Sequence, residues 1–197
     1  MAEPLRIGVL AVQGDVREHA AMLRDAGAEV VEVRRPQELD GLDGLVLPGG
    51  ESTAIGRLVR LAGLEEPLRA FRGPVFGTCA GLILLAREAS DGVPGQPLLG
   101  LLDVAVRRNG YGRQVASFEA DLGLAGEAAP LRGVFIRAPR ITERGPGVEV
   151  LAELDGDPVL VREGRILAAS FHPELAGDPR VHERFLEIVR EESCVGA

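Results

Sequence analysis

Cys79 occupies the apex of Gly77-Thr78-Cys79-Ala80-Gly81, between a short apolar run and a helical pattern. A sharp strand-to-helix turn needs small residues on both sides of its apex, because the backbone is strained there and neighbouring turns come close. The same turn sets the sulfur at a helix N-terminus, where partial positive charge favours the thiolate. The plainer alternative is a structural cysteine in a glycine-rich turn. A nucleophile needs a proton shuttle, and the chain offers three histidines, His19, His172 and His182. His172 lies in Ser170-Phe171-His172-Pro173-Glu174-Leu175 at the end of a strand-like segment, and Pro173 biases it toward extended backbone. Residues i and i+2 of an extended chain face the same side, so Glu174 can orient the His172 ring. Without the cysteine, the pair reads equally well as a local strand-end hydrogen bond. His19 and His182 fall on polar stretches of helical patterns and are expected to be solvated. A metal held by Cys79, His172 and Glu174 lacks an evident fourth ligand, so neither metal nor other cofactor is expected.

Attack on a carbonyl also requires donors for the developing oxyanion. The backbone N–H of Ala80, next to the nucleophile, is one candidate, and the Pro48-Gly49-Gly50-Glu51-Ser52 turn is another, since it follows a strand and opens a helix. Gln13-Gly14 lies at the same edge of the sheet. Two Arg-bearing segments, residues 107–113 and Phe135-Ile136-Arg137-Ala138-Pro139, could each grip a carboxylate or could equally be solvated charge.

The elements that must position these residues alternate. Strand patterns at 5–12, 29–33, 44–47 and 74–77 are separated by helical ones. Asp15 is placed to cap the first helix, whose apolar positions Val16, Ala20, Leu23 and Ala26 recur at helical spacing before Gly27 stops it. Further helices are expected from Ser52 to about Leu61, over 66–71, and from Cys79 through Glu88. Beyond residue 98 the texture becomes strand-like, at 99–107, 114–120, 131–137, 148–154, 157–162 and 165–171, before a closing helix over 179–191. The expected fold is α/β, an open and mostly parallel sheet flanked by helices with antiparallel β additions, in one domain spanning 1–197.

The composition narrows the function. The 197 residues carry 22 basic against 30 acidic side chains, a net charge of −8, and every basic residue is Arg. Without Lys there is no Walker-type phosphate loop and no lysine imine. An acidic chain without a clustered basic footprint argues against nucleic acid. No apolar run reaches the ~18 residues of a membrane span, and two cysteines, Cys79 and Cys194, suit a reducing cytoplasm better than a disulfide scaffold.

Taken together, the GTCAG turn, the distant HPE segment and the PGGES turn resemble the class I glutamine amidotransferase family, whose fold is flavodoxin-like. More narrowly, AVQGDVREH at 11–19, LPGGEST at 47–53, FGTCAGL at 76–82, RNGYGRQ at 108–114, FIRAP at 135–139 and SFHPEL at 170–175 are similar to the glutaminase subunits of pyridoxal 5′-phosphate synthases. Tyr111 stands where that group has phenylalanine. The resemblance implies Cys79 as nucleophile, His172 and Glu174 as its triad partners, and the amides of Gly50 and Ala80 as the oxyanion hole. It implies a glutamine site formed by Gly50, Glu51, Ser52, Arg108, Ile136 and Arg137. It further implies L-glutamine as substrate and a synthase subunit as partner, docked near Gln13 and Gly14. Two rivals share the elbow: another hydrolase, such as a peptidase or deglycating enzyme, and a subunit that binds glutamine without turning it over.

Overall fold

The computed structural model describes residues 3–92, 95–111 and 117–195. Its central sheet grows from branched apolar segments: β1 (Arg6–Leu10), β2 (Glu29–Val33), β3 (Gly44–Leu47), β4 (Val75–Thr78) and β12 (Ile166–Ala169). These run parallel in the order β12-β4-β3-β1-β2. Two antiparallel strands, β11 (Asp157–Glu163) and β10 (Glu149–Leu154), extend the edge beyond β12 and bring the sheet to seven strands.

Alternate side chains of the buried strands enter different cores, as a period of two requires when both faces are covered. Leu45, Leu47, Val75 and Ala168 pack with α2 (Ser52–Leu61), α3 (Glu65–Ala70) and α4 (Ala80–Leu85). Val46, Phe76, Leu167 and Ala169 pack on the other face with α1 (Val16–Asp25) and α5 (Arg180–Val195). The sheet is therefore doubly wound, as expected. The loops after β1, β3, β4 and β12 converge at its carboxyl edge, where such sheets bind ligands.

Two strands depart from the sequence expectation. The helix expected through Glu88 ends at Leu85, and β5 (Ala86–Ser90) follows it. Local propensity favours helix through Leu-Ala-Arg-Glu, but tertiary pairing overrides it. The N–H groups of Leu99 and Leu101 take the Leu84 and Leu85 carbonyls at 2.7 and 3.0 Å, closing the helix. β5 then joins a three-stranded sheet with β6 (Leu102–Arg107) and β9 (Arg140–Arg144), a strand that follows FIRAP and whose short charged pattern carries no clear period. β7 (Ser117–Leu122) and β8 (Leu131–Ile136) form a separate hairpin. The first residues of the strand expected at 114–120, and Gly112 and Arg113 of the basic loop, lie outside the described residues. Among the described residues no helix is long and apolar enough to cross a membrane.

Close packing at the carboxyl edge depends on glycine. A Cβ on Gly81 would sit 1.9 Å from the Leu47 carbonyl oxygen, and one on Gly77 would meet the Gly81 carbonyl at 2.8 Å. Gly81→Ala gains about 1 kcal/mol of helix propensity. The clash is with backbone and cannot be relieved by rotating a side chain, so overpacking costs of about 1–3 kcal/mol or more should win. Urea denaturation is expected to show net destabilisation; a variant as stable as the parent would contradict this packing.

Candidate active site

Cys79 adopts φ 47° and ψ −102°, a conformation that costs a non-glycine residue energy and survives only where surroundings enforce it. Here Cys79 N–H donates to the Ala169 carbonyl at 2.8 Å, fastening the turn to β12. The glycines at 77 and 81 let α4 fold back at once. Cys79 is 6% exposed, and its sulfur lies 3.7 Å from the Ile136 carbonyl oxygen.

His172 follows β12, and its N–H donates to the Val134 carbonyl at 2.8 Å, tying it to β8. The ring is almost fully buried. Nδ1 lies 2.8 Å from Glu174 Oε1 and 3.1 Å from Asp15 Oδ2. With Nδ1 facing two carboxylates, Nε2 is the nitrogen left for Cys79, whose proximity favours the charged ring. Burial alone would disfavour the charged imidazole, but hydrogen bonds to Asp15, Cys79 and Glu174 outweigh it and push His172 up to about 12. Burial pushes the Glu174 carboxyl above its usual range, and the bond from His172 pulls against that rise. The expected pairing of residues i and i+2 is thus present, although Glu174 sits in a one-turn 3-10 helix, Pro173–Leu175, and not on extended backbone.

Asp15 is a correction. It precedes α1, but its side chain makes no capping hydrogen bond; the carboxylate turns instead toward His172. The left-handed Gly14 (φ 105°), whose Cβ would lie 1.8 Å from the Gly49 carbonyl, lets this loop press against the glycine turn. Asp15 N–H then donates to that carbonyl at 3.2 Å. The atoms of Asp15, His172 and Glu174 lie within 4.8 Å of one another, a spacing a cation could use, but the proton on Nδ1 accounts for the same contacts.

His19 and His182 are corrections too. Both are wholly buried. His19 Nδ1 lies 2.9 Å from His182 Nε2, and His19 Nε2 lies 3.0 Å from Thr78 Oγ1 and 3.3 Å from Glu174 Oε2. Burial drives both rings toward the neutral form, His182 to about 4 and His19 well below its ordinary value with help from the neighbouring histidines. A signal was present: His19 stands three residues after Val16 and four before Leu23 on the apolar face of α1. His182 stands three and four residues before Phe185 and Leu186 on that of α5.

Cys79, His172 and Asp15 border a cleft of about 560 Å³, whose walls include Gly50, Glu51, Ser52, Ala80 and Arg108, closed by Ile136 and Arg137. All expected glutamine-site residues therefore meet at one place. Glu51 is partly occupied: burial opposes its charge, but N–H groups of Thr53 and Ala54 at 3.0 and 2.7 Å hold the carboxylate ionised as the cap of α2. Arg108 lies 3.5 Å from Glu51 Oε1 and donates to Thr53 Oγ1 at 3.2 Å. Gln13 Oε1 accepts the Glu51 N–H at 3.0 Å, so Gln13 braces the glycine turn, while Gly14 is exposed. Tyr111 packs against Phe118 and Phe135 behind the cleft and does not line it. Among the described residues, a second hollow of about 330 Å³ beside Leu61 and Pro97 is lined by no cysteine, histidine or carboxylate.

Comparison with known proteins gives one consistent set of matches. The model of the SNO glutamine amidotransferase family matches residues 9–191. The pyridoxal 5′-phosphate synthase subunit PdxT of Parafrankia sp. (strain EAN1pec) is 63% identical over 191 residues, covering 95% of this chain and 94% of the relative. That of Frankia alni (strain DSM 45986 / CECT 9034 / ACN14a) is 60% identical over 189 residues, covering 94% and 95%. A crystal structure of a glutamine amidotransferase superposes with a TM-score of 0.86 at 53% identity, covering 93% of this chain and 98% of that one.

The buried histidines make stability depend on pH. His182 titrates near 6.5 when unfolded and at about 4 when folded, so as pH falls the unfolded chain takes up the proton first. Stability should fall between about pH 6.5 and about 4, by up to about 3 kcal/mol from this group, and fall no further from it below that window. His182→Gln keeps a donor for His19 but removes the titration. Urea midpoints measured across the window should vary less in this variant; equal slopes would contradict the assignment.

Proposed function

The chain belongs to the SNO glutamine amidotransferase family, and from that premise we propose that Cys79 is its nucleophile, His172 its proton shuttle and Glu174 the carboxylate that orients the shuttle. The chain is a glutaminase subunit: it hydrolyses L-glutamine and delivers ammonia to a synthase subunit for pyridoxal 5′-phosphate formation. The observation that carries the residue assignment is the buried His172 ring, engaged by Glu174 at 2.8 Å on Nδ1 and lining the same cleft as Cys79.

The steps follow from that arrangement. The Cys79 sulfur attacks the side-chain amide carbon of glutamine, and the carbonyl oxygen becomes an oxyanion held by the N–H groups of Gly50 and Ala80. In support, the Gly49 carbonyl is tied back to Asp15 N–H, which turns the Gly50 N–H of the same peptide to the opposite side. Charged His172 gives its Nε2 proton to the departing nitrogen, and ammonia leaves a γ-glutamyl thioester. The now neutral ring accepts a proton from water, the hydroxide opens the thioester, and glutamate departs with the sulfur and ring restored to their starting states. Arg108 and Arg137 are suited to the substrate carboxylate, with Glu51, Ser52 and Ile136 completing the glutamine site.

Several further points belong to this reading. The chain acts as a single glutaminase domain over 1–197. Gln13 and Gly14 face the synthase; the exposure of Gly14 and the bond from Glu51 N–H to Gln13 support a mechanical link from that surface to the oxyanion turn. Lacking Lys, the chain cannot form the imine of sugar-phosphate or pyridoxal chemistry, which belongs to the partner. Two free cysteines, one of them exposed, suit the cytoplasm. A subunit that only bound glutamine would have no use for a buried, charged histidine beside a strained cysteine.

Cys79→Ala should reduce glutamate release from L-glutamine by about 10³-fold or more in the presence of the synthase, since the covalent route is lost. Folding and docking should persist, as measured by melting and by co-sedimentation with the synthase. Retained turnover would reject the assigned nucleophile.

A further inference from the structure

The second oxygen of Glu174 poses a question that the triad leaves open. Oε1 accepts from His172, but Oε2 is buried without a hydrogen bond of ordinary geometry among the described residues. A buried carboxylate oxygen without a donor loses solvation that nothing replaces, and the carboxylate is then free to rotate off the ring it should orient. The basic nitrogen that approaches Oε2 is His19 Nε2, at 3.3 Å and wholly buried.

The protons of the histidine pair can be assigned by exclusion. A bare Nε2 on His19 would aim a lone pair at a buried carboxylate oxygen, so Nε2 carries the hydrogen. Nδ1 of the neutral ring is then an acceptor, filled by His182 Nε2–H at 2.9 Å. Among the described residues His182 Nδ1 remains a bare lone pair without a partner, a smaller loss than a buried N–H without an acceptor. Phe76 stands edge-on to both rings, with centroids 6.0 Å from His19 and 5.6 Å from His182, and holds the pair in an apolar collar.

His19 also reaches a second part of the site. Its Nε2 is 3.0 Å from Thr78 Oγ1, and Thr78 Oγ1 accepts the Gly49 N–H at 3.0 Å. One nitrogen thus adjoins both the triad carboxylate and the hydroxyl that anchors the glycine turn. We propose that His19 is a positioning residue for glutamine hydrolysis, its Nε2–H donating to Thr78 and attracting the Glu174 oxygen 3.3 Å away electrostatically, so that the triad and the oxyanion turn are held in mutual register, with His182 fixing its tautomer. This rests on the triad reading given above and extends it by one buried layer.

The test compares His19→Gln with His19→Asn, in a Cys194→Ser background that leaves Cys79 as the only thiol. A Gln amide nitrogen can take the place of Nε2, whereas an Asn amide reaches only the place of Nδ1. Glutaminase activity with the synthase, and the pH profile of Cys79 alkylation by iodoacetamide without substrate, are both read. Asn should lower kcat by about tenfold to a hundredfold, the scale of small misplacements of a catalytic group, with KM little changed. Its alkylation profile should move, because the His172 ring is less firmly held, and Gln should restore both. Equal activity of the two variants, or an Asn variant matching the parent, would overturn the proposal. So would loss of folding in both, which would mark His19 as purely structural. Failure of the triad reading is separate: there Cys79→Ala would retain turnover, whereas here it stays inactive while the His19 variants fail to differ.

Discussion

A single buried imidazole holds this site together. His172 is withdrawn from water, which by itself would leave it neutral, yet carboxylates from Glu174 and Asp15 and the sulfur of Cys79 surround it closely enough to keep it charged. The charge does two things at once. In the proposed mechanism it is the counter-ion for the sulfur nucleophile at Cys79, a residue only 6% exposed, and the source of the proton that the departing nitrogen requires. Remove either carboxylate and the balance tilts toward burial.

Bringing four loops against that ring is a problem of backbone clearance. Asp15 arrives after β1, the glycine turn after β3, Cys79 after β4 and His172 after β12, all from the carboxyl edge of a parallel sheet. Gly49 has room for no side chain, because a Cβ there would lie 2.4 Å from His172 Cε1, and Gly14 and Gly81 are restricted in the same way. The glycines in the family-like blocks are therefore required by approach distances around the ring as much as by turn conformation. Strain at Cys79 is held by the neighbouring strand through the Ala169 carbonyl.

Much of this was legible in the chain itself. The parallel strands, the elbow and the His172–Glu174 pair follow from local patterns whose physics is local: branched apolar runs, small residues at a turn, and a spacing of two. What escaped was decided by distant contacts. Asp15 reads as a helix cap because nothing nearby in sequence announces His172, 157 residues on. β5 reads as helix because its partner β6 lies beyond a loop. The histidines at 19 and 182 read as solvated because charged neighbours flank them, although their spacing to Leu23 and Phe185 puts them on buried faces. In each case the polar identity of a residue was weighed more heavily than its helical phase. The segments whose motifs resemble the glutamine amidotransferase family supply the residues that meet around His172, and the family match spans residues 9–191.

In the resting enzyme His172 should be a charged imidazole. Nitrogen-15 NMR of histidine-labelled protein, with the His172 signals assigned by their absence from His172→Asn, reads this directly. Both ring nitrogens of His172 should carry protons from pH 6 through pH 9, consistent with a group raised to about 12. A ring that is neutral at pH 7 and gains its second proton only near the ordinary value of 6.5 would contradict the account.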